Sequence, residues 1–188
     1  MTRPFASGLA ATFACGLLAA CSTAPAPVQK SAAATGTAQE AVVNLAPASG
    51  SLVSGRLLLR PMTGGVHVSG EIGGLGAGDV RGFHVHEKGD CSAADASSAG
   101  GHFNPGAQPH GRAGQGPHHA GDSDNLVADG RGVARVNAHL SGVTLGGGAA
   151  SDIAGRAVIM HAQADDYATQ PTGNAGARVA CGVIRITR

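Results

Sequence analysis

Eight of the nine histidines in this chain fall between positions 84 and 161, and six of them stand in groups that could share an ion. His84 and His86 stand in Gly-Phe-His-Val-His-Glu, His102 in Gly-Gly-His-Phe-Asn-Pro, and His110 in Pro-His-Gly. His119 and Asp122 share His-Ala-Gly-Asp, and His161 closes Val-Ile-Met-His. Neutral imidazole is the commonest metal ligand, and a nitrogen-rich set with one carboxylate and no thiolate suits copper and zinc. The grouping predicts a two-metal site.

Spacing divides the ligands into two sets. His84 and His86 lie two apart in a strand-like run, so both side chains leave one face and can grip one ion. Phe83 and Val85 then point the other way, into a core. A lone His-x-His is commonly just a pair of solvent-facing strand residues. Here His161 also ends a strand-like run and could meet the pair from a neighbouring strand. His102, His110, His119 and Asp122 offer three nitrogens and one oxygen, the closed four-ligand set that structural zinc favours. The strand set holds three histidines, or four if His102 is shared, and four imidazoles suit copper with an open position for a small substrate. Spacing alone does not fix which histidine is shared, or that one is.

Elements must hold these residues in place. Short alternating runs at 41–45, 52–61, 65–72, 80–86, 132–140, 155–161 and 178–187 predict strands, with turns such as Thr63-Gly64-Gly65 between them. No window carries a sustained apolar stripe of helical period. Seven or eight short strands with glycine-rich turns predict an antiparallel sandwich or barrel. One stretch breaks the pattern: between Val85 and Leu126 there is no Val, Ile, Leu or Met, and Phe103 is its only large apolar residue. Such a segment cannot order itself by burial, since fixing each residue costs roughly 1–2 kcal/mol. Yet it carries His102, His110, His119, Asp122 and Cys91, so metal bonds and a disulfide are expected to supply the order.

A formal net charge of +1 and the lack of any Lys/Arg run give no reason to expect a nucleic-acid partner. No apolar stretch reaches the length of about 20 residues that a retained transmembrane helix needs. Residues 1–20 read as an export signal, with Arg3 ahead of an apolar run. Leu18-Ala19-Ala20-Cys21 resembles a bacterial lipobox, which predicts a lipid on Cys21, a flexible tether over 21–40 and a folded domain over 41–188. An ordinary signal with an incidental cysteine is the plainer alternative. Cleavage would remove Cys15, leaving Cys91 and Cys181 as the pair free to form a disulfide in an oxidising compartment. Two thiolate metal ligands is the weaker reading, because neither cysteine is spaced with the histidines.

Taken together, Gly82-Phe83-His84-Val85-His86-Glu87, Gly101-His102-Phe103-Asn104-Pro105, His119-Ala120-Gly121-Asp122 and the run Gly173 to Ile184 resemble the copper/zinc superoxide dismutase family. The likeness runs in order through 41–188. It implies an all-β, Greek-key, immunoglobulin-like β-sandwich or barrel of about eight antiparallel strands with two long functional loops. It implies copper on His84, His86, His102 and His161, and Zn(2+) on His102, His110, His119 and Asp122, with His102 as the bridge. Arg178 matches an arginine that orients the anion, Asp165 a carboxylate that hydrogen-bonds ligands of both metals, and Cys91 with Cys181 the intrasubunit disulfide. The implied activity is dismutation of superoxide, with superoxide as substrate, in a periplasmic protein whose only membrane contact is the lipid at Cys21. A homodimer is compatible with the resemblance. Arg81 departs from the family, standing where histidine is usual, and the stretch 162–177 is short and lacks Lys. The competing function is a non-catalytic copper or zinc carrier on the same fold.

Overall fold

The computed structural model describes Met1 and residues 36–188; the expected export signal, Cys21 and most of the tether lie outside the described residues. Ten strands follow one another: β1 (Ala41–Pro47), β2 (Ser54–Met62), β3 (Gly65–Gly73), β4 (Val80–Arg81), β5 (Phe83–His86), β6 (Leu126–Val127), β7 (Ala134–Ser141), β8 (Ala157–His161), β9 (Arg178–Val183) and β10 (Arg185–Ile186). Among the described residues there is no α-helix, only a 3-10 turn at Ser97–Ala99, and no helix that could cross a membrane. The strands form where the period-two pattern predicts. In β7, Ala134, Val136 and Leu140 are buried while Arg135, Asn137 and His139 are exposed.

All strand pairings are antiparallel, in the order β5-β8-β9-β1-β2-β3-β7, with β10 also on β1 and a separate β4–β6 ribbon. An isolated bridge, Ala128 to Ala134, joins the end of β6 to β7, and β4 runs into β5 through Gly82. The curled sheet thereby closes on itself. β1 turns a corner to do so: its first five residues pair with β2, while Ala46 and Pro47 pair with Cys181 and Ala180 of β9. The connections 74–79 and 142–156 lead to strands that are not neighbours of those they leave, which is the Greek-key crossing.

Two predicted strands are interrupted, and one element was not anticipated. The run 80–86 breaks at Gly82, whose N–H donates to the carbonyl of Gln163 and whose carbonyl accepts from His161. The run 178–187 breaks at Ile184, which exchanges backbone hydrogen bonds with Gly155 and Arg156 before the chain rejoins β1. Strand β6 is two residues long and too short to show a period. Both interruptions turn backbone groups toward the segments flanking β8, and so tie the histidine-bearing strands to their surroundings.

Strands β5 and β8 are buried on both faces. Phe83, Val85, Val158 and Met160 join the main core, with Leu57, Leu59, Val66, Ile72 and Leu140. On the opposite face Ala157 and Ile159 meet Ala48, Ala96, Ala99 and Cys181 in a second, smaller cluster. The loop 87–125 therefore does have apolar order of its own: Ala96 and Ala99 fill that cluster and Phe103 reaches the main core. Counting only large side chains in the sequence overlooked the two alanines. The loop lies over His84 and His86, which is why these histidines are fully buried.

Candidate metal centre

The structure brings all seven predicted ligands together, in the two predicted sets. His84, His86, His102 and His161 form one group; His102, His110, His119 and Asp122 form the other; ligand atoms in each lie within 4.8 Å of one another. His102 belongs to both. Its place is fixed by an antiparallel bridge to His86, with the Phe103 N–H donating to the Val85 carbonyl at 2.8 Å. His161 comes from β8, which pairs directly with β5.

Hydrogen bonds assign the ring nitrogens. His86 Nδ1 donates to the Gly100 carbonyl at 2.9 Å and His161 Nδ1 to the Gly176 carbonyl at 3.3 Å. Both rings then aim a lone pair from Nε2, yet these two atoms face each other at 3.4 Å. Two acceptors at that distance repel unless a cation lies between them. Bonds of about 2.0–2.1 Å in tetrahedral array place nitrogens roughly 3.3 Å apart, so the spacing is that of a metal site. His84 donates through Nε2 to Asp165 Oδ2 at 2.8 Å, and His110 through Nε2 to Asp165 Oδ1 at 3.0 Å. That leaves Nδ1 of each turned inward.

Among the described residues, the buried side-chain atoms left without a partner are His84 Nδ1, His102 Nε2, His110 Nδ1 and His119 Nδ1. Every one is a would-be ligand. Nδ1 of His110 and His119 lie 3.1 and 3.4 Å from Asp122 Oδ1 without the alignment of a hydrogen bond, as groups converging on a shared ion would. Asp122 Oδ2 is occupied elsewhere, accepting the N–H of His119 at 2.8 Å and of Gly111 at 3.2 Å. Native structures leave few buried polar groups unsatisfied, so orphans confined to these two sets fit copper and zinc.

Electrostatics separates the sets. Burial depresses the pKa of His84 to about 4, of His161 to about 3 and of His86 to about 2, so these rings are neutral and ready to bind. Burial also opposes the charged form of His110, but the adjacent carboxylates of Asp122 and Asp165 outweigh it and raise its pKa to about 9. His119 is lowered, chiefly by burial. Burial alone would raise both carboxyls, yet their histidine partners hold Asp122 and Asp165 well below the usual range.

Arg178 begins β9 and is half-buried beside the strand set. It donates through Nη1 to the Ala96 carbonyl at 2.7 Å and through Nη2 to the Gly100 carbonyl at 2.6 Å. Gly100 therefore receives both Arg178 and His86. Cys91 and Cys181 are joined in a disulfide, with Cα atoms 5.8 Å apart, pinning the same loop to β9. Burial lowers the Arg178 pKa, with Asp95 opposing.

The remaining histidines and nearby carboxylates lie outside both sets. His118 is half-buried and donates through Nδ1 to the His119 carbonyl at 2.7 Å. Asp124 pairs with Arg112, and Asp166 accepts the N–H groups of Ala168 and Thr169. His139 is exposed; His67 is half-buried, with Nε2 at 2.7 Å from Asn137 Oδ1. Arg81 pairs with Asp79 and donates to the carbonyl of Ala162, next to His161. Sequence reasoning missed Asn125, which exchanges two hydrogen bonds with the Asp165 backbone, and Gln170, which brackets the His110 backbone. Both contacts span at least 40 residues, and nothing local announces them.

A family model described as copper/zinc superoxide dismutase (SODC) matches residues 53–184. "Superoxide dismutase [Cu-Zn] 2" of Aquifex aeolicus (strain VF5) is 39% identical over 136 residues, covering 71% of this chain and 80% of that protein. "Superoxide dismutase [Cu-Zn] 2" of Mesembryanthemum crystallinum is 42% identical over 132 residues, covering 67% of this chain and 82% of that protein. Among solved structures, the clock protein EA4 is similar with a TM-score of 0.71 and 40% identity, over 82% of this chain and 98% of that one. A superoxide-dismutase-like protein from Bacillus subtilis, in a double-mutant form, gives 0.70 and 38% identity, over 77% and 96%.

Proposed function

Because the chain belongs to the copper/zinc superoxide dismutase family, we propose that it converts two superoxide anions and two protons into dioxygen and hydrogen peroxide. The observation that carries this reading is His102, one ring shared by two complete ligand sets. His84, His86, His102 and His161 would hold copper; His102, His110, His119 and Asp122 would hold zinc. Copper supplies one-electron exchange with superoxide when bound, and zinc supplies a fixed positive charge.

The protein's own groups do the rest. His102 presents Nε2 to the copper set and Nδ1 to the zinc set, so Nε2 would be free to take up a proton and pass it to the peroxide only when it is not holding copper. Asp165 holds the N–H of His84 and His110, which keeps both rings in the binding tautomer. Arg178 spends two of its five N–H donors on the carbonyls of Ala96 and Gly100. The others, with a permanent positive charge, suit a small anion in a way a single ammonium does not.

A purified, copper- and zinc-loaded protein is expected to dismutate superoxide well above a free-copper control. Full occupancy of both metals with no such activity favours the carrier reading, which the similarity to dismutase-like proteins keeps in view. We also propose export with a lipid on Cys21 and residence in the periplasm; the Cys91–Cys181 disulfide supports an oxidising compartment. Labelling with a radioactive fatty acid tests it, and an unlabelled mature protein starting elsewhere rejects it.

A further inference from the structure

Arg156 stands just ahead of β8 and takes no part in the dismutation described above. Its half-buried guanidinium makes three contacts. Nε donates to the Asp152 carbonyl at 2.9 Å, Nη1 donates to the carbonyl of Glu87, and the guanidinium carbon lies 4.0 Å from the centroid of the Phe103 ring. Glu87 directly follows His86, and Phe103 directly follows His102. The two segments are paired as an isolated bridge, reinforced by the Glu87 N–H donating to the Gly101 carbonyl at 2.9 Å. Arg156 lies across this pairing and touches both sides of it.

The base of the clamp is itself rigid. Asp152 is buried, and its carboxylate accepts the backbone N–H groups of Gly146, Gly148 and Ala154, each at 2.8 Å. The other zinc-set residues are held independently: Gln170 fixes the His110 backbone, and Asp122 Oδ2 receives Gly111 and His119. A planar fork suits this place, since one edge can reach two carbonyls while the face covers a ring.

We propose that Arg156 is a positioning residue that sets the separation of His86 from His102, and so the shape of the four-imidazole set, without touching substrate. The inference rests on copper occupying that set. It is tested with zinc-loaded protein titrated with Cu(II), read by the Cu(II) paramagnetic resonance spectrum and by competition against a chelator. Arg156→Met is expected to change the spectrum and weaken copper binding by about tenfold or more, with zinc affinity little changed. Arg156→Lys, which keeps the charge and one donor direction, is expected to recover part of the loss. Phe103→Leu removes the ring contact, at some cost in core packing, but leaves both hydrogen bonds of the guanidinium; it is expected to give an intermediate spectrum and stands in should the Met variant not fold.

Wild-type copper spectra and affinities in the variants, with only a lower melting temperature, overturn the proposal. Equal loss of zinc and copper overturns it as well, because Arg156 would then serve the fold at large. A wild-type protein that takes no copper in the four-imidazole set sinks the copper reading and this inference together. A copper-binding wild type indistinguishable from its variants sinks this inference alone.

Discussion

The carboxylate of Asp165 accepts an imidazole N–H from each metal set, His84 at 2.8 Å and His110 at 3.0 Å. Asparagine has only one carbonyl oxygen, so one ring would meet an N–H2 group and turn its own hydrogen toward the metal position. Asp165→Asn is expected to lower zinc affinity by about 10–100-fold, as measured by chelator competition. Gly173 protects the same carboxylate: at φ +65° a Cβ there would overlap Asp165 Oδ1 and crowd His110 Nε2. Gly173→Ala is therefore expected to strip zinc at stoichiometric loading while copper still binds, and unchanged metal analysis would contradict it. The histidine titrations give a pH profile for the metal-free chain. His110 has a folded pKa of about 9 against an ordinary 6.5, so the stability it adds is full below about pH 6.5 and lost as pH rises through about 9. His84, at about 4, is depressed, so it costs stability as pH falls from about 6.5 toward 4; His86 and His161 act in the same direction. Urea midpoints across pH 4–10 are expected to peak near pH 6.5. A profile flat from pH 6.5 to 9 would remove the role given to His110.

At the scale of elements, the loop 87–125 is fastened at several points. Its alanines bury against Ile159 and Cys181, its disulfide joins β9, and Arg178 binds the carbonyls of Ala96 and Gly100. The disulfide spans a sequence separation of 90 residues, for which chain-entropy estimates give roughly 4 kcal/mol. Replacing both cysteines with serine is expected to cost about 2–4 kcal/mol in urea unfolding, with zinc retained and copper weakened. Copper is the more sensitive because Gly100, which carries the His86 hydrogen bond, directly follows Ala99 of the cluster that holds Cys91 and Cys181. Equal weakening of the two metals would show that the disulfide serves the loop as a whole and not its copper side.

For the whole molecule, residues 36–188 contain eleven Lys/Arg and twelve Asp/Glu, so the folded domain as a whole does not attract an anion. In the proposed reaction, steering of the anion must then be local, and Arg178 is a cation built beside the strand set. Arg178→Ala is expected to lower the second-order dismutation rate about tenfold or more with both metals still bound, and to flatten its dependence on ionic strength. A variant retaining the full rate and salt dependence would place the attraction elsewhere on the surface.

Alternation and residue type were enough to read the class of fold and the seven residues that gather in the two sets. Alternation marks strands because a pleated chain puts successive side chains on opposite faces, and His84 with His86 shows its shared face in two residues. The resemblance named the bridge at His102, the carboxylate at Asp165 and the disulfide. Contacts between distant segments became visible only in the folded chain. The break at Gly82 follows from backbone hydrogen bonds to His161 and Gln163, about 80 residues away, and no local pattern encodes them. The same holds for Asn125 behind Asp165, for Gln170 behind His110, and for Arg156 across Glu87 and Phe103. Which nitrogen of each ring faces the metal was likewise undecided until the carbonyls of Gly100 and Gly176 and the oxygens of Asp165 were in place. A ligand's residue type is a local property of the chain. Its tautomer and its distance to a partner depend on hydrogen bonds that exist only once distant segments have met.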